Sequence, residues 1–151
     1  MTDLSIFNNV HHITLIVRDI EKTAAFYESV GIGPWELLTS LKPYKHEIEV
    51  RDTDALLDLE FRHASVGDFH IFLCQPGAGD SDHKRFLAAH GEGVFSLGFS
   101  VRNVDEAEHK GRELGLAPLI RGRLPDRSGF TYFDTRREAG VILQLRQPNA
   151  I

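Results

Sequence analysis

Apolar and polar residues alternate through VHHITLIV, residues 10–17, as in a strand with one buried face. The segment that follows begins at Asp19 and ends at Gly31. Asp19 is placed to accept hydrogen bonds from the free N–H groups of a helix, and Gly31 suits the left-handed residue that ends one. The pattern therefore predicts a strand followed by a capped helix.

The same pattern recurs later in the chain. Residues 94–118 align on residues 10–34 without gaps, and five of the 25 aligned positions are identical. Asn103 occupies the position equivalent to the helix cap Asp19, and Gly115 the position equivalent to Gly31, which ends the first helix. Because most other positions keep their chemical class, we interpret the chain as two copies of one structural module.

Three further strands complete each module. FHIFLCQP at 69–76 aligns without gaps on VILQLRQP at 141–148, and both are short apolar runs ended by Gln-Pro. The remaining strands are predicted at residues 47–51, 56–63, 117–122 and 129–134.

A bridge over residues 77–93 joins the modules. It holds a Gly-rich turn and a short helix near 82–90, capped by Asp80 or Ser81. We therefore predict a single domain made of two modules, residues 9–76 and 94–148.

Two βαβββ modules predict an α+β fold. Neither can bury its sheet face alone, so we expect one curved eight-stranded sheet around a central cavity, with helices on the outer face. The pleat then divides each strand between helix-packed and cavity-facing side chains. The first strand is expected to pack three residues under its helix, Ile13, Leu15 and Val17. It is expected to turn three residues toward the cavity, His12, Thr14 and Ile16.

Four cavity-facing positions are equivalent between the modules. His12 and Ser96 align in the opening strands, and Phe72 and Gln144 align in the closing strands. His70 lies two residues before Phe72 and is expected to share its face.

The composition favours a cytoplasmic protein. A formal charge of −5 argues against a nucleic-acid partner. The chain has no run of about 18 apolar residues for a membrane span, and its start lacks the basic flank and apolar stretch of a signal peptide. The single Cys74 excludes a disulfide framework and a cysteine zinc cluster. We expect a small-molecule substrate as the partner.

Several of these segments resemble the vicinal oxygen chelate (glyoxalase/bleomycin resistance) superfamily, in particular its methylmalonyl-CoA epimerase-like branch. Residues 10–34 resemble its opening strand and helix. DSDHKRFLAAHGEGVFSLGFSV resembles its bridging helix, GEG turn and fifth strand, and GVILQLRQP its last strand. The resemblance covers residues 9–148 and implies an isomerase, or an enzyme of a related lyase type, that forms a homodimer.

The resemblance also implies a metal site. In metal-dependent members the four equivalent positions carry His, Gln or Glu, His and Glu. Here His12 keeps its ligand type, whereas Phe72 has no donor, Ser96 is a poor donor and Gln144 is a neutral amide. We therefore predict that no metal or other cofactor is bound. The alternative is an altered metal site held by His12, Gln144 and His70.

His12 and His70 are the candidate catalytic residues. An unperturbed imidazole titrates near pH ~6.5, so His12 could serve as a general base or acid. His70, at a neighbouring inward position, could take the complementary role. The alternative for both is a hydrogen-bonded lining residue without chemistry. His11 has the opposite parity and is excluded.

Seven residues are predicted to bind the substrate: Thr14, Trp35, Phe72, Ser96, Arg121, Tyr132 and Gln144. Ser96 and Gln144 could orient a carbonyl or phenol. Phe72 indicates a cavity floor that packs against a ring or chain. Trp35 could line the entrance or belong to the core, and Tyr132 could face either side of its strand.

Arg121 belongs to a basic segment. Residues 110–146 carry eight basic and four acidic side chains, a net charge of +4. Because arginine recognises carboxylates and phosphates, this segment could steer an anionic substrate, or its arginines could be solvated loop residues. Related epimerases use a glutamate base, which the sequence does not assign among three candidates, Glu47, Glu49 and Glu60.

These observations lead us to expect a metal-independent epimerase, racemase or isomerase that transfers a proton at an activated carbon of a small carbonyl compound. His12 would move the proton while Ser96 and Gln144 hold the developing oxyanion. One alternative is a non-catalytic protein that sequesters a small aromatic molecule, as bleomycin-resistance proteins do. The other is a metal-dependent epimerase or lyase with an altered ligand set.

Overall fold

The fold was analysed in a computed structural model, which describes residues 6–38 and 41–148, except for the side chain of Lys45. The described residues form nine strands: β1 (Val10–Ile16), β2 (Glu36–Leu37), β3 (Ile48–Glu49), β4 (Glu60–Val66), β5 (Phe69–Gln75), β6 (Gly93–Ser100), β7 (Pro118–Arg123), β8 (Gly129–Phe133) and β9 (Ile142–Gln147). They also form five α-helices: α1 (Ile20–Ser29), α2 (Thr53–Leu57), α3 (Asp82–His90), α4 (Val104–Glu113) and α5 (Arg136–Ala139). The architecture is α+β, as predicted.

The chain divides into two compact units. Of the described residues, unit I comprises 12–38, 41 and 51–95, and unit II comprises 6–11, 42–50 and 96–148. In unit I the strand order is β2-β4-β5-β1, with β1 parallel to β5 and the other pairs antiparallel. In unit II the order is β6-β9-β8-β7-β3, with β6 parallel to β9 and the other pairs antiparallel. The sheet is therefore mixed.

The predicted helix caps are confirmed. Asp19 accepts a hydrogen bond from the Lys22 amide at 3.0 Å, and Asn103 accepts one from the Glu106 amide at 3.0 Å. Of the two candidates for α3, Ser81 is the cap. These side chains satisfy amide groups that have no partner inside a helix, which is why each helix begins where it does.

One predicted strand of the first module pairs elsewhere. The sequence predicts residues 47–51 as part of the first half, but β3 is only two residues long and pairs antiparallel with β7 in unit II. Glu47 explains this placement. Its carboxylate accepts two hydrogen bonds from Arg127, at 2.7 and 2.8 Å, and its carbonyl accepts one from the Arg123 amide.

The strand predicted at residues 56–63 is also displaced. Asp52 accepts a hydrogen bond from the Ala55 amide and begins α2, so Leu56 and Leu57 are helical and β4 starts at Glu60. The edge of β4 is then covered by the short strand β2, which the sequence did not predict. The described residues therefore form nine strands rather than the eight predicted.

In unit I, α1 covers one face of the sheet. Val17 and Leu73 form a buried cluster with Ile20 and Ala24 of the helix, and Leu15 packs against it. The predicted helix-facing parity of Leu15 and Val17 is therefore confirmed.

In unit II, α4 approaches its sheet at Gly111. The buried cluster beneath it holds Val104, Ala107, Phe133 and Leu145. A Cβ atom at Gly111 would overlap the ring of Phe133. This helix can therefore lie so close to β8 only because residue 111 has no side chain.

His83 is a buried histidine in α3. Its side chain has no exposed surface, and its ring centroid lies 4.4 Å from that of Phe95. Burial disfavours the charged imidazole and lowers the pKa of His83 to about 3.

No helix in the described ranges is long and apolar enough to cross a bilayer.

We expect Gly111→Ala to destabilise the protein by about 1–3 kcal/mol, because the new methyl group overpacks against Phe133. This loss should exceed the gain of about 1 kcal/mol that alanine usually brings to a helix interior. Urea unfolding measures the change. Gly111→Ala combined with Phe133→Leu should recover part of the loss, and a Gly111→Ala protein more stable than wild type would contradict the packing argument.

We expect His83 to make the protein sensitive to acid. Below pH 6.5 an unfolded histidine takes up a proton that folded His83 refuses until about pH 3. This group therefore lowers the free energy of unfolding by up to about 1.4 kcal/mol per pH unit as the pH falls through that window. Denaturant unfolding across the window should show a shallower decline for His83→Met and an unchanged decline for His46→Met, which alters an exposed histidine. Parallel profiles for His83→Met and wild type would refute this assignment.

Candidate functional site

The sheet face of unit I opposite α1 carries a row of histidines. In β1 and β5, His12 is in register with His70, and Thr14 with Phe72. In β4 and β5, His63 is in register with Phe72, and Ser65 with His70. Side chains in register lie on the same side of a pleated sheet. We name this surface the histidine face: His12, Thr14, His63, Ser65, His70 and Phe72.

His12 stacks on Phe72. The two ring centroids lie 4.0 Å apart with an interplanar angle of 13°, and the exposed fraction of His12 is 1%. Phe72 therefore covers one flat side of the imidazole and fixes its plane, while the reactive nitrogens stay at the ring edge. The structure thus brings together these two predicted site residues.

His70 and His63 lie beside this stack. The Nδ1 atom of His70 is 3.3 Å from the hydroxyl of Ser65, within hydrogen-bond distance. The centroid of His63 is 5.8 Å from that of Phe72 and 6.4 Å from that of His70. His63 is not among the site residues predicted from the sequence, although it is the last residue of a predicted strand. Extending the alternation of that strand to Val66 would have placed His63 on the histidine face.

Thr14 carries an unusual hydroxyl. Its exposed fraction is 1%, and its buried Oγ1 atom has no hydrogen-bond partner within residues 6–38 and 41–148. A buried hydroxyl without a partner costs free energy, about 1–3 kcal/mol. This atom is therefore a candidate donor to a bound molecule.

The second group of candidate residues lies on one sheet face of unit II. Tyr132 is in register with Gln144, and Phe130 with Arg146. Ser96 and Ser100 lie on the same side, because they are in register with Ile142 and Arg146. We name this surface the glutamine face: Ser96, Ser100, Phe130, Tyr132, Gln144 and Arg146. The side of the strand that Tyr132 occupies, which the sequence left open, is therefore the side of Gln144.

Ser96 resembles Thr14 in its environment. Its side chain is fully buried, and its Oγ atom has no hydrogen-bond partner in the part of the chain that the structure describes. Gln144 on the same face is 6% exposed. The glutamine face thus carries a hydroxyl and an amide, and each group can donate a hydrogen bond to a ligand or accept one from it.

Arg121 lies on the opposite face of the unit II sheet. It is in register with Thr131 and donates through Nε to Glu108 of α4 at 2.9 Å. Burial opposes ionisation of Glu108, but hydrogen bonds from Arg121 and Thr131 and the charges of Arg121 and Arg123 outweigh it, so its pKa is lowered. The structure therefore does not bring Arg121 together with Gln144 and Tyr132, and this placement gives its predicted role in binding no support.

Trp35 packs on the helix side of unit I. Its ring lies 5.5 Å from that of Tyr27, its Nε1 donates to the carbonyl of Ile32, and it contacts the cluster under α1. Trp35 was expected either to line the entrance or to belong to the core, and this placement corresponds to the core.

The candidate glutamates are engaged in ion pairs. Glu47 pairs with Arg127 at 2.7 Å, Glu49 with Arg121 at 3.6 Å, and Glu60 lies 3.5 Å from Arg62. None of these contacts involves the histidine face.

The donor chemistry does not fit the metal set of the resembled family. Among the described residues, no group of three or more His, Cys, Asp or Glu side chains could hold an ion. Phe72 offers no donor atom and lies against His12 with its ring. A neutral amide and a hydroxyl, from Gln144 and Ser96, are weak ligands for a transition metal.

Comparisons with known proteins support this assignment of the fold. Over residues 11–133 the sequence matches the glyoxalase/bleomycin resistance protein/dioxygenase superfamily. Methylmalonyl-CoA epimerase from Mycobacterium tuberculosis is 19% identical, with a TM-score of 0.71 over 95% of this chain and 90% of that chain. A Streptomyces coelicolor methylmalonyl-CoA epimerase variant in complex with 2-nitronate-propionyl-CoA is 22% identical, with a TM-score of 0.71 over 94% and 98%. A hypothetical protein from Bacillus halodurans is 17% identical, with a TM-score of 0.70 over 95% and 96%.

No curated protein matches the sequence. The structural similarity shows that the chain has the glyoxalase-like fold of methylmalonyl-CoA epimerase, as the resemblance predicted. The sequence match extends over well more than half of the chain. The protein is therefore a member of the glyoxalase/bleomycin resistance protein/dioxygenase superfamily.

Proposed function

We propose that the protein is a metal-independent enzyme that transfers a proton at a carbon beside a carbonyl group, as an epimerase, racemase or isomerase does. The observation that carries this proposal is the stack of His12 on Phe72. It holds a buried imidazole in one orientation, on a strand position where metal-dependent relatives carry a ligand. Several of the similar solved structures are methylmalonyl-CoA epimerases, which supports an epimerase-type reaction.

The first step is removal of a proton by neutral His12. The C–H bond breaks, the proton goes to an imidazole nitrogen, and the electron pair moves to the carbonyl oxygen to form an enolate. Burial of His12 keeps bulk water from the imidazole, which strengthens electrostatic interactions at this point. The hydroxyl of Thr14, which has no hydrogen-bond partner among the described residues, donates to the enolate oxygen.

The second step returns a proton to the carbon. His70 in its protonated form supplies it, and the enolate electrons reform the C–H bond. Ser65 lies 3.3 Å from one nitrogen of His70, within hydrogen-bond distance, and helps to orient its ring. Return of the proton to the opposite side of the carbon gives the epimer, and return to a different atom gives an isomer.

The substrate proposed here is a small acyl or aromatic carbonyl compound. Phe72 and His63 present ring surfaces beside His12, against which an aromatic ring or an acyl chain can pack. A conjugated ketone stabilises its own enolate and needs less help than a thioester. Because the histidine face lacks a metal donor set, a conjugated ketone suits it better than a thioester does.

We expect His12→Gln to lower the rate of deuterium uptake from D₂O by propiophenone by roughly 10²–10⁴-fold, because glutamine keeps a hydrogen-bonding group but cannot accept the proton. NMR measures the uptake, and equilibrium binding of the ketone should change little. His11→Gln, at the neighbouring position of opposite parity, is the matched control and should keep the wild-type rate.

Two results would contradict this mechanism. Normal turnover with weakened binding in His12→Gln would make His12 a binding residue. Tight binding by the wild type without deuterium uptake from either propiophenone or methylmalonyl-CoA would instead identify a sequestering protein.

We also expect the protein purified without chelator to contain well under one equivalent of divalent metal, and EDTA to leave its thermal midpoint unchanged. A donor set without three strong ligands binds transition metals too weakly to survive purification. Elemental analysis and thermal denaturation measure the two quantities. A stoichiometric ion lost together with activity on EDTA treatment would refute metal independence.

A further inference from the structure

The arginines of unit II differ in how their charge is balanced. The side chain of Arg123 has no exposed surface, yet it donates to Asp105 at 2.8 Å and to Glu108 at 2.9 Å. Arg121 and Arg127 likewise pair with carboxylates. A cation withdrawn from water is stable only when such partners replace its hydration. For these three side chains the fold itself supplies the counter-charges.

Arg146 has no such partner. It lies half-buried on the glutamine face, and Nη1 donates one hydrogen bond to the hydroxyl of Ser100 at 3.3 Å. Among the described residues no carboxylate pairs with it. Burial is the main influence on its pKa and lowers it, and Tyr44 opposes this effect. Four of its five N–H groups are thus left to solvent or a ligand.

Tyr44 lies close enough to Arg146 for each side chain to influence the pKa of the other. Its ring packs edge-on against Phe130 at 5.0 Å, and Phe130 is in register with Arg146. Burial raises the pKa of Tyr44, Asp126 adds to this rise, and Arg146 opposes it. The net rise keeps Tyr44 a neutral phenol near neutral pH, so it can donate a hydrogen bond.

The surroundings of Arg146 are aromatic. Phe130 lies 5.8 Å from Tyr132, centroid to centroid, at 86°. Asp126, an acid that influences Tyr44, accepts hydrogen bonds from the amide and hydroxyl of Ser128. It acts on Tyr44 and not on Arg146. The cation is therefore flanked by rings and hydroxyl groups.

We propose that Arg146, Ser100 and Tyr44 form a binding site for the carboxylate of a small aromatic acid. A carboxylate accepts two parallel hydrogen bonds from a guanidinium and supplies the counter-charge that Arg146 lacks. The two hydroxyl groups donate to its remaining lone pairs, and the rings of Phe130 and Tyr132 pack against the aromatic part. This assignment gives the anion-binding role to Arg146 in place of Arg121. It concerns unit II alone and is independent of the proposed proton transfer.

Benzoate and its neutral analogue benzamide test the proposal by equilibrium binding, followed by NMR at constant ionic strength. The wild type should bind benzoate more tightly than benzamide. Arg146→Gln should weaken benzoate binding by about ten- to a hundredfold, the usual loss when a charged hydrogen-bonded partner is removed. Arg137→Gln removes the same charge from an exposed arginine and should leave the affinity unchanged. Tyr44→Phe should cause a smaller loss than Arg146→Gln.

Three results would overturn the proposal. They are equal affinity of the wild type for benzoate and benzamide, equal benzoate affinity of Arg146→Gln and wild type, and no benzoate binding at all. Inorganic phosphate is the further probe. Phosphate binding that exceeds benzoate binding and is lost in Arg146→Gln would assign the site to phosphates and refute the carboxylate. Because the readout is binding, a failure of the His12 mechanism would not alter any of these outcomes.

Discussion

The pleat of the strands is the constraint on which the candidate site depends. It sends alternate side chains to opposite faces, so covering one face with a helix leaves the other to polar and aromatic residues. In unit I, Leu15 and Val17 pack under α1. His12 and Thr14 have the opposite parity in β1 and therefore lie on the other face of the sheet. Strand register then carries this parity to the neighbouring strands and brings Phe72 against His12. A shift of one residue in any of these strands would exchange the two faces.

The second organising principle is the balance of buried charge. Five hydrogen bonds hold the buried guanidinium of Arg123, and they connect α4, β7 and β8 through Glu108 and Thr131. Removing one partner from such a network leaves another charge uncompensated, which costs several kcal/mol. Arg146 on the glutamine face differs from Arg123, because among the described residues it donates a hydrogen bond only to Ser100 and pairs with no carboxylate.

The fold and the chemistry of this protein have to be considered separately. The glyoxalase-like fold is shared with methylmalonyl-CoA epimerases at about one fifth sequence identity. A fold retained at this distance positions side chains without dictating their chemistry. Here Phe72, at a position where the resemblance implies a metal ligand, stacks on His12. The histidine face therefore presents a ring, a hydroxyl and further histidines instead of that ligand set.

Much of this was determined by the sequence. The alternation of VHHITLIV, the caps Asp19 and Asn103, and the internal repeat predict the main strands and helices, because those signals depend on residues close together in the chain. Tertiary structure decided the rest. Ile48 and Glu49 pair with β7, and beside them Glu47 accepts hydrogen bonds from Arg127, which lies 80 positions away. His63 lies on the histidine face, and Arg121 pairs with Glu108 on the opposite side of its sheet, because strand register and ion pairing join residues that no local pattern connects. Local spacing thus determined which elements form, whereas the long-range partners of each side chain decided which residues meet.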